Sequence, residues 1–324
     1  MTGKYEIEIY NNRVHYFLTV KRNITILQGD SATGKTELIR LISDYEENGT
    51  SSGIVVKCDL PCTVLTAVDW ESRLDRLERH IIFIDETATF LKTKQFAERV
   101  RGADNYFVIV TRDDLPQLPY SVDEIYGLRN VSDGTKYKSF KKVYNEMYHL
   151  YNLREPGKMK PDVVITEDTN AGFEGFCAVY GDICKAAGGK SRIYHSIRGE
   201  QSQSILAIVD GAAFGSEIGK IYRYLQMGVR NCVIYAPESF EYLLLKAGVL
   251  DVPTTVVETT YEYADSVDYI SWEEFYTAYL IQISQNTVYR YSKSKLGEVY
   301  KTDGIIRRIK NILPEQIRPE GLGK

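Results

Sequence analysis

The residues best placed to do chemistry run from Gly29 to Thr36. Gly29 is followed by Asp30, Ser31, Ala32 and Thr33, then Gly34, Lys35 and Thr36, a G-x-x-x-x-G-K-T pattern. Each residue type has a physical use. Glycine at both ends permits backbone conformations that a side chain forbids. The turn between them can then aim its N–H groups inward, and a helix starting there adds its partial positive charge, which together make a seat for an anion. In such a seat the Lys35 ammonium could reach phosphate oxygens, and the Thr36 hydroxyl could serve as a ligand for a hard cation such as Mg²⁺.

Such a cradle needs a strand before it and a helix after it. Ile24-Thr25-Ile26-Leu27 is a short apolar run with β-branched residues, as a buried parallel strand should be. From Glu37 to Ile42, residues Leu38, Ile39, Leu41 and Ile42 share one helical face. On these residues the stretch resembles the Walker A motif of P-loop NTPases. The resemblance implies ATP and Mg²⁺ as cofactors, with Gly29 to Thr36 around the phosphates.

His80-Ile81-Ile82-Phe83-Ile84-Asp85-Glu86 reads as a buried strand that ends in two carboxylates. It resembles a Walker B motif followed directly by its catalytic glutamate. Asp85 would hold Mg²⁺ opposite Thr36, and Glu86 would orient and polarise the attacking water. Tyr106–Val110 predicts another buried strand, followed by Thr111 and Arg112. In ATPases that place an extra strand between the two motif strands, that strand carries a polar sensor. Thr111 is the matching position, and Arg112 reads as a solvated strand end.

Residues 4–10 and 14–20 alternate as two strands about the turn Asn11-Asn12-Arg13, similar to the start of ABC-type and RecF-type ATPases. About fifty positions separate Lys35 from Asp85, and Glu71–Glu78 carries no ABC signature. The resemblance is therefore to the broader additional-strand P-loop class, over roughly residues 4–142. A strand is expected at 54–58, helices at 70–79 and 87–101, and short strands around the turn cluster Ser132-Asp133-Gly134-Thr135.

Pro156, Gly157 and Pro161 mark 152–161 as a linker. Beyond it, strands expected at 162–167, 192–195, 205–210 and 232–236 alternate with helices at about 171–187, 214–227 and 239–247, the pattern of a second α/β unit. Two of these strands end in acids: Glu167-Asp168, and Asp210-Gly211-Ala212. That layout resembles a Toprim domain, which carries a glutamate after its first strand and Asp-x-Asp after its third. Glu167 and Asp210 match, and Ala212 stands where the second aspartate belongs. The resemblance implies a residual metal site on Glu167 and Asp210, with Asp168 or Glu217 beside it, short of the ligands a two-metal nuclease uses. An ATPase followed by Toprim is similar in layout to the overcoming-lysogenization-defect (OLD) family, which implies a role in phage or mobile-element defence.

Composition bounds the rest. The net charge is −4, with 40 basic against 44 acidic residues, so a protein whose whole surface binds nucleic acid is excluded. No apolar run of about 18 residues and no signal-peptide pattern is present, and the expectation is a cytoplasmic protein with no membrane partner. The five cysteines are irregularly spaced and read as reduced thiols. Residues 136–160 interleave Lys136, Lys138, Lys141 and Lys142 with Tyr137, Tyr144, Tyr148 and Tyr151. Basic charge tracks phosphates and aromatic faces stack bases, which suits single-stranded nucleic acid. The same residues suit a tyrosine-lined helix packed between domains, the preferred reading. Near the C-terminus an acidic stretch from Glu258 leads into a helix over 271–284, and Gly304 to Leu313 forms an amphipathic helix.

The expectation is an α/β protein in three parts: a P-loop ATPase domain at 1–151, a Toprim-like α/β domain at 162–255 and a helical C-terminal extension at 256–324. It would hydrolyse ATP as a nucleotide-driven sensor or switch, as a homo-oligomer or with a partner protein. The alternatives are an ATP-gated, Mg²⁺-dependent nuclease of OLD type and a small-molecule kinase. Glu86 weighs against the kinase, because a carboxylate there suits activating water.

Overall fold

The computed structural model describes residues 1–29, 34–131, 142–151, 153, 157–228 and 231–319. Asp30, Ser31, Ala32 and Thr33 of the glycine-rich loop lie outside the described residues, as do 132–141, most of the expected turn and part of the basic–aromatic stretch, and positions 152 and 154–156 of the linker. The chain is α/β and divides into two compact units. One comprises Met1–Tyr151 with Tyr261–Ser271, the other Asn152–Thr260 with Trp272–Lys324.

The first unit contains, in chain order, β1 (Tyr5–Tyr10), β2 (Val14–Val20), β3 (Ile24–Leu27), α1 (Lys35–Asn48), β4 (Val55–Lys57), β5 (Cys62–Val64), α2 (Trp70–Leu74), β6 (Ile81–Ile84), α3 (Lys94–Val100), β7 (Tyr106–Val110), β8 (Ile125–Asn130) and β9 (Val143–His149). They form one nine-stranded sheet in the order β4-β1-β2-β9-β8-β3-β7-β6-β5. The β1–β2 hairpin closes on Asn11, whose Oδ1 accepts the N–H groups of Arg13 (2.8 Å) and Val14 (3.0 Å). Strands β3, β6 and β7 are buried along their whole length, which is why they read as unbroken apolar runs. On one face α1 packs Leu38, Ile39, Leu41 and Ile42 into a core with Phe83, Tyr106, Val108 and Val110. Phe107 turns to the other face and meets Phe96 of α3, which packs edge-on against Trp70 of α2.

Strand order decides what the carboxyl edge can hold. β7 runs parallel to and between β3 and β6, with Leu27 opposite Val110 and Ile84 opposite Ile109. The chain therefore leaves β3 toward Gly29, β7 toward Thr111 and β6 toward Asp85 along one edge. With neighbouring strands roughly 4.8 Å apart, Asp85 lies on the order of 10 Å across the sheet from the start of the glycine-rich loop.

Several local expectations change. The helix begun at Trp70 ends at Leu74, and Arg79 takes a positive φ of 55° while its N–H bonds the Asp104 carbonyl at 2.6 Å, redirecting the chain into β6. The helix expected from Thr87 begins only at Lys94, where the Thr93 hydroxyl caps the Phe96 N–H. Residues 143–149, within the stretch read as a tyrosine-lined helix, are strand β9, paired antiparallel with β8 and parallel with β2. Residues 261–271, expected in the C-terminal extension, pack in the first unit. There the buried Asn23 amide donates to the carbonyls of Ser266 and Tyr269, and the Ser266 hydroxyl to that of Ala103.

The second unit contains β10 (Val163–Thr166), α4 (Ala171–Tyr180), β11 (Cys184–Ala186), α5 (Lys190–Gly199), β12 (Ser204–Ile208), α6 (Gly215–Gln226), β13 (Asn231–Tyr235), α7 (Phe240–Lys246), α8 (Thr255–Glu258), α9 (Trp272–Ser284) and α10 (Asp303–Ile312). Its four strands are all parallel, in the order β11-β10-β12-β13. Against this sheet α5 packs with α6, while α4 packs with α7 and α10. The strand expected at 192–195 is instead part of α5: Ile193 and Ile197, four residues apart, are both fully buried along one helical face. The second strand is β11, because α4 stops at Gly181 rather than running to 187. Among the described residues no helix is long and apolar enough to cross a membrane.

Candidate functional site

The glycine-rich loop leaves β3 at Gln28, whose N–H donates to the Tyr126 carbonyl (2.8 Å) and whose side-chain amide donates to the Arg112 carbonyl (3.3 Å). Gly29 then takes φ +119° and Gly34 φ +88°, both in the left-handed region that glycine tolerates. Gly34 caps α1 without any side-chain hydrogen bond to the helix N–H groups. Its carbonyl accepts the Leu38 N–H at 2.9 Å and the Tyr16 hydroxyl at 2.8 Å. Burial pushes the Tyr16 phenol well above its ordinary range, so it stays a neutral donor.

Lys35, the first residue of α1, is buried, and its Nζ bonds the Gly29 carbonyl at 3.0 Å. The ammonium thus spans the two ends of the loop. Thr36, next in the helix, is exposed. At the end of β6, Asp85 accepts the Thr87 N–H on Oδ1 at 3.0 Å, which fixes one carboxylate oxygen. Glu86 pairs with Arg112, Nε to Oε2 at 3.1 Å. Arg112, read as a solvated strand end, therefore has a specific partner in the candidate water-activating residue. Thr111 is buried and its hydroxyl closes its own turn: it accepts the Asp113 N–H at 3.0 Å and donates to the Asp113 carbonyl at 3.2 Å.

Mg²⁺ prefers a few hard protein oxygens, with waters and phosphates completing its shell. An exposed hydroxyl at Thr36 and a carboxylate at Asp85, one oxygen already oriented, suit that donor chemistry. Tyr16 lies outside any motif. It comes from β2, 18 residues upstream of Gly34, and no local pattern points to it.

In the second unit the loops after β10 and β12 bring Glu167 and Asp210 together: Glu167 Oε2 accepts the Asp210 N–H at 3.1 Å. Burial raises both carboxyls above their ordinary range, with Glu273 adding repulsion at each. Asp168 is also raised, first by burial, although its Oδ1 accepts the Phe173 N–H at 2.9 Å. Glu241 is buried and accepts the Tyr291 hydroxyl at 2.8 Å. Lys293 answers this crowd of acids with its Nζ 2.5 Å from Glu273 Oε1, and the nearby carboxylates hold its ammonium above the usual lysine range despite partial burial. Ala212 is buried beside them. Glu217 pairs with Lys220 on α6. Among the described residues no group of three or more His, Cys, Asp or Glu side chains is arranged to hold a metal ion.

Glu241, Glu273, Tyr291 and Lys293 complete this cluster, and sequence reasoning missed them. They are remote from Glu167 along the chain and carry no motif. No protein-family model matches the chain, and no curated protein matches it.

Proposed function

We propose that the first unit binds a nucleoside triphosphate with Mg²⁺ and hydrolyses it, and that its nucleotide state switches the protein, in keeping with an additional-strand P-loop ATPase. One observation carries this reading: Lys35 spans a loop bracketed by two left-handed glycines, on the same sheet edge as Asp85 and Glu86. The amide hydrogens at the start of α1 and the Lys35 ammonium would neutralise the triphosphate. Thr36 and Asp85 would hold Mg²⁺, which would offset the charge that develops on the phosphate in the transition state. Glu86 orients a water for in-line attack on the γ-phosphorus. The new oxygen–phosphorus bond forms as the bond to the β-phosphate oxygen breaks, and the water proton leaves toward Glu86 or the phosphate.

The order β11-β10-β12-β13, with acids after β10 and β12, supports a Toprim-like second unit. Alanine at 212 and the pairing of Glu273 with Lys293 leave fewer free carboxylates than a two-metal site uses, which supports a regulatory or partner-binding role over cleavage. A place in phage or mobile-element defence follows only from the resemblance in domain layout.

The test is calorimetric titration of ATP·Mg²⁺ together with phosphate release, on the wild type and on Glu86→Gln. The variant is expected to bind ATP within about threefold of wild type and to lose at least about 100-fold in turnover. Absence of binding by the wild type removes the nucleotide reading; undiminished turnover in Glu86→Gln removes the role given to Glu86.

A further inference from the structure

The chain between α9 and α10 brings a strap to the acids of the second unit. Residues 290–293 belong to no helix or strand; Tyr291 and Lys293 both reach the acids, while Ser292 between them is exposed. Four contacts fix the strap. The Tyr291 N–H donates to the Ser284 hydroxyl at 2.9 Å, and the Tyr291 hydroxyl donates to Glu241 Oε1 at 2.8 Å. The Lys293 carbonyl accepts the N–H of Ala171, the first residue of α4, at 3.1 Å. The Lys293 ammonium lies 2.5 Å from Glu273 Oε1.

The place of that ammonium is unusual. Lysine heads are ordinarily left in water, yet this one is held among carboxylates by a backbone that is itself bonded. Its charge acts on Glu241, Asp210 and Asp168 as well as on Glu273. Acids drawn out of water need positive charge to offset the cost. A divalent metal is one source of it; Lys293 is another, already part of the chain. The two exclude each other. Mg²⁺ draws its oxygens in to about 2.0–2.1 Å in a near-ideal octahedron, whereas the ammonium keeps Glu273 engaged and repels a second cation placed beside it. Lys293 is half-buried, so a small ion could reach the acids, and charge rather than access would keep it out. The donor set agrees: among the described residues no three of these side chains are arranged to hold a metal ion.

We propose that Lys293 is the resident cation of this cluster: its ammonium stands where the Toprim resemblance puts a divalent metal, and the second unit takes up no such metal while the strap is in place. The inference rests on the Toprim-like reading for where a metal would sit and adds what fills that place. The ammonium supplies one positive charge and three donors directed at oxygens. It offers no Lewis acid and no bound water, so it can hold the acids together without giving them metal chemistry. Any need of the protein for Mg²⁺ would then belong to the first unit.

The experiment is thermal unfolding of the full chain in EDTA and in millimolar Mn²⁺ or Ca²⁺, without nucleotide, followed by Trp272 fluorescence in a Trp70→Phe background. Trp272 opens α9 and precedes Glu273, so the signal reports on the second unit rather than on Thr36 and Asp85 of the first. With Lys293 present the midpoint is expected to stay within about 1 °C in all three solutions. Lys293→Met should lower the midpoint in EDTA by roughly 3–8 °C, because one side of a partly buried ion pair is lost. Mn²⁺ or Ca²⁺ should then restore at least about half of that loss, by binding the folded state alone. Lys293→Gln, uncharged but polar, should respond in the same way and keeps the test available if the methionine variant fails to fold. Lys293→Arg, which keeps the charge, should stay unresponsive. A midpoint that rises with metal as far in the wild type as in the neutral variants overturns the role given to Lys293 and leaves the Toprim-like reading standing. No response to metal in the wild type or in either neutral variant overturns both, since the acids would then seat no cation at all.

Discussion

Gly34→Ala is the substitution whose cost the structure lets one work through. Gly34 has φ +88°, and a methyl group there would sit 2.7 Å from the Tyr16 hydroxyl oxygen. The left-handed backbone costs an L-residue about 1–2 kcal/mol. The contact is far below van der Waals distance, so Tyr16 must shift, and its 2.8 Å bond to the Gly34 carbonyl is lost. Such a bond contributes about 1 kcal/mol net. The sum is about 2–3 kcal/mol, which for a unit of this size lowers the thermal midpoint by roughly 5–10 °C. Urea unfolding followed by tryptophan fluorescence measures it. The chain has two tryptophans, and in a Trp272→Phe background the remaining Trp70, stacked on Phe90, reports on the first unit. Tyr16→Phe removes the clashing atom. In that background Gly34→Ala should cost only the backbone strain, giving a coupling of about 1 kcal/mol between the two positions. Equal cost in both backgrounds, or a neutral Gly34→Ala, would show that the loop is not held as described.

Two further outcomes are expected. Glu124 is fully buried and accepts Arg22 Nε at 3.1 Å, so Glu124→Ala removes one side of a buried ion pair and should cost about 3–5 kcal/mol in the same urea assay; a loss below about 1 kcal/mol would contradict it. In the second unit the Lys185 ammonium, 2.8 Å away, and neighbouring N–H groups hold the Glu200 carboxyl down at about 2. Its contribution is therefore complete above the ordinary glutamate range near 4.5 and is lost as pH falls through about 2. Thermal midpoints between pH 6 and pH 2 should fall less steeply in Glu200→Gln than in wild type; parallel curves would count against the pair.

The glycine-rich loop was legible because its information is local. A β-branched run, two glycines and an apolar helical face lie within 20 residues, and each follows from backbone sterics or periodicity. The run Ile81–Ile84 was legible for the same reason, being buried on both faces. What was not legible depends on partners far along the chain. Arg192-Ile193-Tyr194-His195 looks strand-like in isolation, and only the burial of Ile193 with Ile197 makes it a helix. Arg112 shows no pairing tendency in sequence; its partner is set by the register that aligns β6 with β7. Residues 143–149 sit in a tyrosine-rich, basic stretch whose composition suggested nucleic acid or helix packing. Only pairing with β8 and β2 makes them a strand.

The return of residues 261–271 to the first unit has a consequence for how the protein is made. When Tyr151 leaves a ribosome, the nine-stranded sheet has all its strands, yet the Asn23 amide still lacks the Ser266 and Tyr269 carbonyls and the Ala103 carbonyl lacks the Ser266 hydroxyl. At about 5–20 residues per second, the completing segment arrives on the order of ten seconds later. The sheet must wait, partly finished, while most of the second unit is synthesised. No single cut yields the first unit whole, and a fragment ending at Tyr151 would need residues 261–271 supplied as a separate peptide.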